Sequence, residues 1–371
     1  MDYQIITTGE GLTDWLATLA DGPLALDTEF VRTRTYYPLL GLFQIFDGHQ
    51  LALVDPVAIS DLSALWQQLH TPERVSVLHA ASEDLELIHH QSGAMPAKVH
   101  DTQLALAFCG HGMSMGFNAM TQLLLGVELE KDQARTDWLA RPLTPRQLDY
   151  AAADVHYLMP CYVKLLQQLE ANGRLAWFEE ECAALVARRQ AQSRADEAYR
   201  DVGNAWQLGR RELAVLRTLC AWREGEAQRR NLALNFVVKE PHLYKCAQHM
   251  PTGMGGVDQL GLLQPEIRNH GRTLLRLIDE AKQTDPESWP TRIQRLIEFP
   301  HYKHELKRIK ARVDQAAADY SVPAELIASK KMIHQYLSWL WHCQEGRGDN
   351  TMTPRIASGW RHELLGALNE G

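Results

Sequence analysis

The sequence predicts a mixed α/β sheet domain followed by an all-helical half. Two short apolar runs, 42–46 and 51–54, flank Asp47-Gly48, a dipeptide that suits a tight hairpin turn. A helical stretch and a further apolar run at 75–79 come next, so a strand–helix–strand unit follows the hairpin. From Trp206 onward, apolar residues recur at helical spacing almost throughout. A hairpin joined to a strand–helix–strand unit predicts a sheet with antiparallel and parallel pairs, covered by helices.

The elements of the first half follow from local patterns of apolar residues and turn residues. In chain order we expect strand 3–7, helix 12–19, strands 24–30, 42–46 and 51–54, helix 61–70, strand 75–79, a helix that begins near residue 82, helix 115–124 and a long helix from Thr144.

Composition indicates a globular protein of two or three domains. The chain has 371 residues, of which 45% are hydrophobic, an ordinary share for packed cores. Residues 1–200 hold 14 Lys and Arg against 26 Asp and Glu, whereas residues 201–371 hold 24 against 20. Acidic surface repels nucleic acid unless metal ions intervene, and basic surface attracts phosphate. We therefore expect the two halves to have separate roles.

Neither export nor a membrane location is indicated. No apolar run reaches membrane-spanning length, and the first residues, MDYQIITTGEG, lack a basic-then-apolar signal pattern. None of the six cysteines lies in a Cys-x-x-Cys pair, which argues against a zinc site and against a secreted disulfide framework. These features favour a reducing cytoplasm.

The predicted strand 24–30 carries two acids on one face. Side chains alternate along a strand, so Asp27 and Glu29 share a side of the sheet. Two adjacent carboxylates in a half-buried setting repel each other and lose hydration, and a hard cation such as Mg²⁺ or Mn²⁺ relieves both costs. The alternative is an edge strand with two solvated acids, and the strand alone does not separate the two.

The segment 31–38, Val-Arg-Thr-Arg-Thr-Tyr-Tyr-Pro, leaves the acidic strand directly. It mixes cations with aromatic rings, and Pro38 favours an extended backbone. We interpret it as a lip that holds a nucleic-acid strand by phosphate contact and base stacking, against the alternative of a solvated hairpin arm.

An acid at the junction of a strand and a helix could reach Asp27 and Glu29, although helix capping is the better-supported interpretation. Four acids near such junctions are candidates: Glu83, Asp84, Glu86 and Asp101. Acids in a first helical turn often serve only as caps or partners of the helix dipole, and capping is a sufficient explanation for Asp101. His79 and His100 could be ligands, but isolated histidines near strand ends are more often packed or hydrogen-bonded.

The long helix from residue 144 has a clear beginning. Thr144 can cap it, Pro145 suits its first position and Gln147 completes a capping box. Tyr150 and Asp154 are four residues apart and therefore share a face, at the edge of the apolar stripe where side chains can reach a cleft. An ordinary boundary pair remains the alternative. We expect Pro160 to kink the helix.

The second half reads as two helical units joined to the first half by a linker near 188–197. The run 301–312, His-Tyr-Lys-His-Glu-Leu-Lys-Arg-Ile-Lys-Ala-Arg, is a candidate phosphate-binding face, with a merely solvated helix face as the alternative.

Three motifs in order carry a resemblance to a known family. They are Leu-Asp-Thr-Glu-Phe at 26–30, His-Ala-Ala-Ser-Glu-Asp-Leu at 79–85 and Tyr-Ala-Ala-Ala-Asp at 150–154, with similar flanks at 32–38 and 136–143. Together they resemble the DEDDy branch of the 3′→5′ exonucleases and, within it, ribonuclease D. Residues 206–285 resemble an HRDC domain, and residues 290–371 resemble a second, more divergent copy.

The resemblance implies a fold and a set of site residues. The fold is a ribonuclease-H-like (DnaQ-like) α/β exonuclease domain over 1–200, followed by two all-α HRDC-type domains over 206–285 and 290–371. It selects Asp84 among the candidate third acids, a choice that composition and spacing leave open. It also implies two divalent ions, Mg²⁺ or Mn²⁺, bound by Asp27, Glu29, Asp84 and Asp154, with Tyr150 orienting the attacking water.

The implied activity is release of 5′-mononucleotides from RNA 3′ ends, with tRNA precursors as the substrate class. We further expect a cytoplasmic monomer. Two alternatives remain at this level: an exonuclease acting mainly on DNA, because no motif reveals a contact with the 2′-hydroxyl, and a non-catalytic nucleic-acid-binding protein.

Overall fold

A six-stranded mixed sheet lies at the centre of the N-terminal half in the computed structural model, which describes residues 1–129, 136–191, 195–344 and 353–369. The strands are β1 Gln4–Ile6, β2 Leu24–Val31, β3 Leu39–Phe46, β4 Leu51–Val54, β5 Val75–Leu78 and β6 Lys98–Asp101. Their order across the sheet is β1-β4-β3-β2-β5-β6. Strand β2 is central, since it pairs antiparallel with β3 and parallel with β5. The predicted mixed sheet is therefore confirmed.

The hairpin between β3 and β4 forms where Asp47-Gly48 predicted it. The Asp47 carboxylate accepts hydrogen bonds from the backbone N–H groups of His49 and Gln50, both at 2.8 Å. Gly48 has a φ of +96°, a conformation that glycine adopts without a steric penalty. Strand β6 was not predicted, because its sequence, Lys-Val-His-Asp, lacks an apolar run.

Helices surround this sheet. They are α1 Gly9–Leu16, α2 Ser63–Leu69, α3 Ser82–Ser92, α4 Thr102–Phe108, α5 Phe117–Leu125, α6 Pro145–Ala171 and α7 Leu175–Gln190. Helix α1 begins three residues earlier than predicted, because the Thr8 side chain accepts a hydrogen bond from the N–H of Gly11 and caps it.

Helix α6 is the longest element and packs against β2, β3 and β4. Its capping box is present as predicted: the Thr144 hydroxyl accepts from the N–H of Gln147, whose side chain accepts from the N–H of Thr144. The buried stripe of the helix consists mainly of Ala151, Ala152, Val155, Leu158, Tyr162, Leu165 and Leu169. Pro160 lies within the continuous helix. Burial of this stripe places the N-terminal turns of α6 beside β2.

Contacts divide the chain into two units: residues 1–31, 39–191 and 299–371 form the first, and residues 32–38 and 192–298 form the second. The predicted linker at 188–197 falls partly on residues 192–194, which lie outside the described residues.

The second unit is a helical bundle. Its helices are α8 Arg210–Arg230, α9 Leu234–Val237, α10 Glu240–His249, α11 Met254–Gln259 and α12 Gln264–Lys282. Leu213, Leu216, Leu243 and Leu274 belong to its buried core. The helical character predicted from Trp206 onward is therefore confirmed for this unit.

Segment 32–38 packs within this second unit, although the strands on either side of it belong to the first. The N–H of Ala233 donates to the carbonyl of Arg34 at 2.8 Å, and the N–H of Tyr37 donates to Asn231 Oδ1 at 2.8 Å. The Tyr36 hydroxyl bonds to Glu224. Both tyrosines contact the helical bundle, so the segment is not a merely solvated hairpin arm, and its interpretation as a lip for nucleic acid stays a prediction.

The C-terminal helices belong to the first unit. They are α13 Tyr302–Tyr320, α14 Ala324–Ile327, α15 Lys330–Gln344 and α16 Gly359–Leu365. Trp360 stacks on Trp177 of α7 with ring centroids 5.8 Å apart. Glu181 of α7, only 4% exposed, bonds to Arg355 and Arg361. An aromatic stack and a buried ion cluster thus attach this segment to α7.

None of the helices in the described part of the chain has the length and apolar character that a bilayer-spanning segment requires.

Candidate active site

Three carboxylates converge beside the central strand. Asp27 and Glu29 lie on the same face of β2, and Asp154 reaches them from α6. One carboxylate oxygen from each lies within 4.8 Å of the others. Glu29 is only 8% exposed, so its carboxylate is largely withdrawn from water. Hard oxygen donors in such an arrangement suit a divalent cation.

The acids repel one another strongly. Burial, followed by repulsion from Asp154 and Asp84, raises the pKa of Glu29 to about 9. Burial raises the pKa of Asp154 to about 7, and burial and then the charge of Asp154 raise the pKa of Asp27 well above its usual value. Three such groups cannot all be ionised at neutral pH without a compensating positive charge. The donor set therefore fits divalent metal ions.

Asp84 lies in the first turn of α3 and is 7% exposed. Its Oδ1 accepts a hydrogen bond from the Thr28 hydroxyl at 2.5 Å, which links α3 to β2 between the two strand acids. Burial raises its pKa to about 6. Asp84 does not belong to the tight trio, yet its charge contributes to the raised pKa values of Asp27 and Glu29. The structure thus brings Asp84 to the same site through Thr28.

The other candidate acids do not join the cluster. Glu83 is exposed and Glu86 is partly exposed. Asp101 caps α4, as expected: its side chain accepts from the N–H of Gln103 at 2.8 Å. It also accepts from the N–H groups of Ala80 and Ala81, both at 3.0 Å. Asp101 therefore stabilises the turn that leads into α3.

Both histidines are packed and hydrogen-bonded. The ring nitrogens of His79 lie 2.9 Å from Thr102 Oγ1 and 3.0 Å from the Met115 carbonyl. His100 Nδ1 lies 2.8 Å from the Tyr162 hydroxyl. Burial lowers the pKa of each histidine to about 4, so both are neutral at physiological pH.

Tyr150 lies one helical turn before Asp154. Burial and then the charges of Asp154, Glu29 and Asp27 raise its pKa above the ordinary value of a phenol. The hydroxyl therefore stays protonated and can donate a hydrogen bond, but it cannot act as a base at neutral pH.

The loop 136–142 packs against Tyr150 through Trp138, a supporting role that the sequence analysis did not predict. The fully buried ring of Trp138 lies 6.3 Å from that of Tyr150. Arg141 fixes the loop through two hydrogen bonds to Asp55, at 2.6 and 2.7 Å, and another to the Gly41 carbonyl. The motif flank at 136–143 was the only signal for this loop. The adjoining Arg135 lies outside the described residues.

Two cavities adjoin the acids. A cavity of about 130 Å³ is lined by Leu26, Asp27, His79, Phe117, Tyr150, Asp154 and Leu158. A larger one, of about 470 Å³, begins at Tyr150 and Asp154 and extends along α6. Tyr150 and Asp154 line both cavities, so open space adjoins these two side chains.

The proposed basic face of 301–312 is only partly available. Arg308 and Arg312 donate to the carbonyls of Leu368 and Ala367, so they hold the C-terminal segment. Lys303, Lys307 and Lys310 remain exposed along α13.

Comparison with known families agrees with this geometry. The model of a 3′–5′ exonuclease domain matches residues 3–170, the HRDC domain model matches residues 212–278, and the model of the C-terminal HRDC domain of ribonuclease D matches residues 300–368. Fold and site therefore define a 3′→5′ exonuclease.

Similarity extends over almost the full chain. Ribonuclease D of Escherichia coli is 46% identical over 366 residues, covering 98% of this chain and 96% of the relative. Ribonuclease D of Psychromonas ingrahamii is 42% identical, covering 99% of both chains. The crystal structure of the E. coli enzyme, described as an exoribonuclease involved in structured RNA processing, superposes with a TM-score of 0.93 over 98% of this chain and 96% of that one, at 45% identity. The chain belongs to the ribonuclease D family and is a 3′→5′ exoribonuclease.

Proposed function

We propose that Asp27, Glu29, Asp84 and Asp154 bind two divalent metal ions, Mg²⁺ or Mn²⁺, and that Tyr150 positions the attacking water. The observation that carries this proposal is the convergence of buried carboxylates whose pKa values are raised by burial and mutual repulsion. Metal ions in such a site lower the pKa of bound water and neutralise the charge that develops on the phosphate. Asp84 lies beside the trio without being part of it, which supports a second metal position next to the first.

Each side chain then has a distinct task. Asp27, Glu29 and Asp154 would hold one cation, which would activate the water, and Asp27 would also contribute to holding the second. Asp84, fixed by the Thr28 hydroxyl, supports that second position. The protonated Tyr150 phenol donates a hydrogen bond to the water and so holds it in line with the phosphorus atom. The product is a 5′-mononucleotide.

We propose RNA with a free 3′ end, including tRNA precursors, as the substrate. Support comes from the similar E. coli enzyme, whose description refers to structured RNA processing. We also propose that catalysis resides in residues 1–200 and that the HRDC-type segments 206–285 and 290–371 bind RNA. We also propose that the protein is a monomer and lies in the cytoplasm, where reducing conditions fit its free cysteines.

The test uses a 5′-labelled RNA with a single-stranded 3′ end and a DNA of the same sequence. We expect shortening one nucleotide at a time from the 3′ end, 5′-mononucleotides on thin-layer plates, loss of the reaction in EDTA and a lower rate on DNA. Equal rates on both substrates would contradict the preference for RNA. Nucleotide release that persists in EDTA would contradict the metal site.

A further inference from the structure

The larger cavity beside the acids has a lining that the proposed chemistry does not use. Its volume of about 470 Å³ is within the range typical of small-molecule sites. Tyr150 and Asp154 form one end, so the cavity is continuous with the candidate active site. The remaining lining residues are Met1, Val127, Glu128, Leu129, Arg146, Asp149, Ala153 and Tyr157.

One face of α6 forms a wall of this cavity. Arg146, Tyr150, Ala153 and Tyr157 follow one another at helical spacings of four, three and four residues, so their side chains lie in a row. The small side chain of Ala153 leaves space between the two tyrosine rings. A planar group that enters from the acids therefore meets Tyr157.

Tyr157 is available for stacking. It is partly exposed, and its hydroxyl has no hydrogen-bond partner among the described residues. Its ring meets that of His156 edge to face, with centroids 5.0 Å apart, which restricts its orientation. Aromatic side chains of this kind stack on nucleobases without regard to sequence.

The charges of the lining favour a nucleoside over a second phosphate. Glu128, Asp149 and Asp154 contribute three carboxyl groups against two cationic groups, the guanidinium of Arg146 and the terminal amino group of Met1. One oxygen of Asp149 accepts from the Tyr3 hydroxyl at 3.0 Å. Carboxylates repel phosphate but accept hydrogen bonds from ribose hydroxyls and from the amino groups of bases.

From these features we infer that the cavity binds the nucleoside of the 3′-terminal nucleotide, with Tyr157 stacking on its base. This inference rests on the proposed function, because the scissile phosphate must lie at the acids for its nucleoside to reach the cavity. Tyr157 is then a positioning residue that holds the departing nucleotide and touches no reacting atom.

The experiment measures release of the first nucleotide from three RNAs: an intact RNA, one without a base on the terminal ribose and one without a base on the penultimate ribose. The enzymes are the wild type, Tyr157→Ala, Tyr157→Leu and Tyr157→Phe. Val163→Ala is the control, because it truncates an exposed side chain on the same helix that does not line the cavity.

For the wild type, we expect loss of the terminal base to lower kcat/KM by about 10-fold, mainly through KM, since that is the order of one stacking contact. We expect Tyr157→Phe and Val163→Ala to show the same loss of kcat/KM as the wild type when the terminal base is removed. Tyr157→Ala and Tyr157→Leu process the intact RNA as slowly as the wild type processes the RNA without a terminal base, and they no longer distinguish the two.

The inference would be overturned if Tyr157→Ala or Tyr157→Leu lost as much kcat/KM as the wild type when the terminal base is removed. It would also be overturned if the wild type lost kcat/KM only when the penultimate base is removed. The substrate comparison in the wild type stands even where a variant fails to fold. If the wild type released no nucleotide from intact RNA, the proposed function would fail instead, so the two failures are distinguishable.

Discussion

The indole ring of Trp138 lies against the ring of Tyr150, with centroids 6.3 Å apart and 37° between the ring planes. Trp138 itself packs on β3 so closely that a Cβ atom added to Gly41 would lie 2.6 Å from its carbonyl oxygen. A chain of contacts thus runs from the sheet through Trp138 to the phenol that we propose to position the water.

Gly41→Ala tests this chain of contacts. The added methyl group has to displace the backbone of Trp138, and a shift of the Tyr150 ring by about 1 Å lowers kcat by as much as 10²-fold. We expect a fall in kcat with little change in KM, measured by nucleotide release. The control is Gly9→Ala, because a Cβ atom at Gly9 meets nothing within 4 Å. Unchanged kcat in Gly41→Ala would contradict the supporting role of Trp138.

Tyr150→Phe removes the hydroxyl and keeps the ring. Because the phenol donates a hydrogen bond to the water, we expect kcat to fall about 10-fold to 100-fold while KM changes less than 2-fold. Steady-state kinetics on a single-stranded RNA separate the two constants. A selective rise in KM would instead indicate that Tyr150 binds substrate.

Asp27→Asn should abolish hydrolysis while leaving RNA binding nearly intact. The amide keeps the shape of the side chain but removes a negative charge that the proposed metal ions require. Gel-shift affinity and nucleotide release, measured on the same preparation, provide the comparison. Glu83→Gln is the matched control, since Glu83 is an exposed acid one residue before Asp84. Wild-type turnover in Asp27→Asn would refute the assignment.

The raised pKa values of Glu29, Asp154 and Asp27 predict how stability depends on pH in EDTA. A carboxyl group whose folded pKa lies above its unfolded value of about 4 favours folding only while it is protonated. This contribution is complete below about pH 4 and is lost as pH rises toward 9. We therefore expect the Tm of Asp27→Asn to exceed that of the wild type by a margin that grows between pH 5 and pH 8.5.

Addition of Mg²⁺ to the wild type at pH 8.5 should raise its Tm and reduce that margin, because a bound cation stabilises the ionised acids. Differential scanning calorimetry measures both effects. A margin that is constant with pH and insensitive to Mg²⁺ would contradict the electrostatic account of the cluster.

Glu181→Gln addresses the attachment of the C-terminal helices. Glu181 bonds to Arg361 at 2.7 Å, and both side chains are almost fully buried. Removing the carboxylate leaves the guanidinium of Arg361 without its charge partner, which costs about 3–5 kcal/mol of unfolding free energy. Urea denaturation gives this value. Glu280→Gln, which breaks the exposed pair with Arg276, should change it by less than about 0.5 kcal/mol. Equal effects of the two substitutions would show that the buried cluster has no special role.

Much of the fold followed from local sequence, because apolar periodicity and turn residues act over short distances. The hairpin at Asp47-Gly48 and the capping box at Thr144 are examples. The mixed sheet was predicted from that hairpin together with the strand–helix–strand unit that follows it. Strand β6 was not predicted because its Lys and His residues interrupt the apolar pattern. The packing of segment 32–38 on the helical bundle was not predicted for another reason: Tyr36 finds its partners, Glu224 and Gln228, some 190 residues away in the chain.

The site was harder to derive than the fold. Strand alternation placed Asp27 with Glu29, and helical spacing placed Tyr150 with Asp154, but neither rule brings the two pairs together. The choice of Asp84 depended on family resemblance, because its link to β2 is a hydrogen bond to Thr28 that no local pattern encodes. Trp138 and Arg141 act through contacts with Gly41 on β3 and with Asp55, which directly follows β4, and both partners are distant in the sequence, which explains why they were missed.

The most direct test of the central claim is a calorimetric titration of Mn²⁺ into the protein in the presence of a 5′-mononucleotide. We predict two saturable sites for the wild type and for Glu83→Gln. We predict loss of both sites in Asp27→Asn, because the Asp27 carboxylate would contribute to holding each cation. Equal binding by the wild type and Asp27→Asn, or no saturable binding by the wild type, would contradict the account.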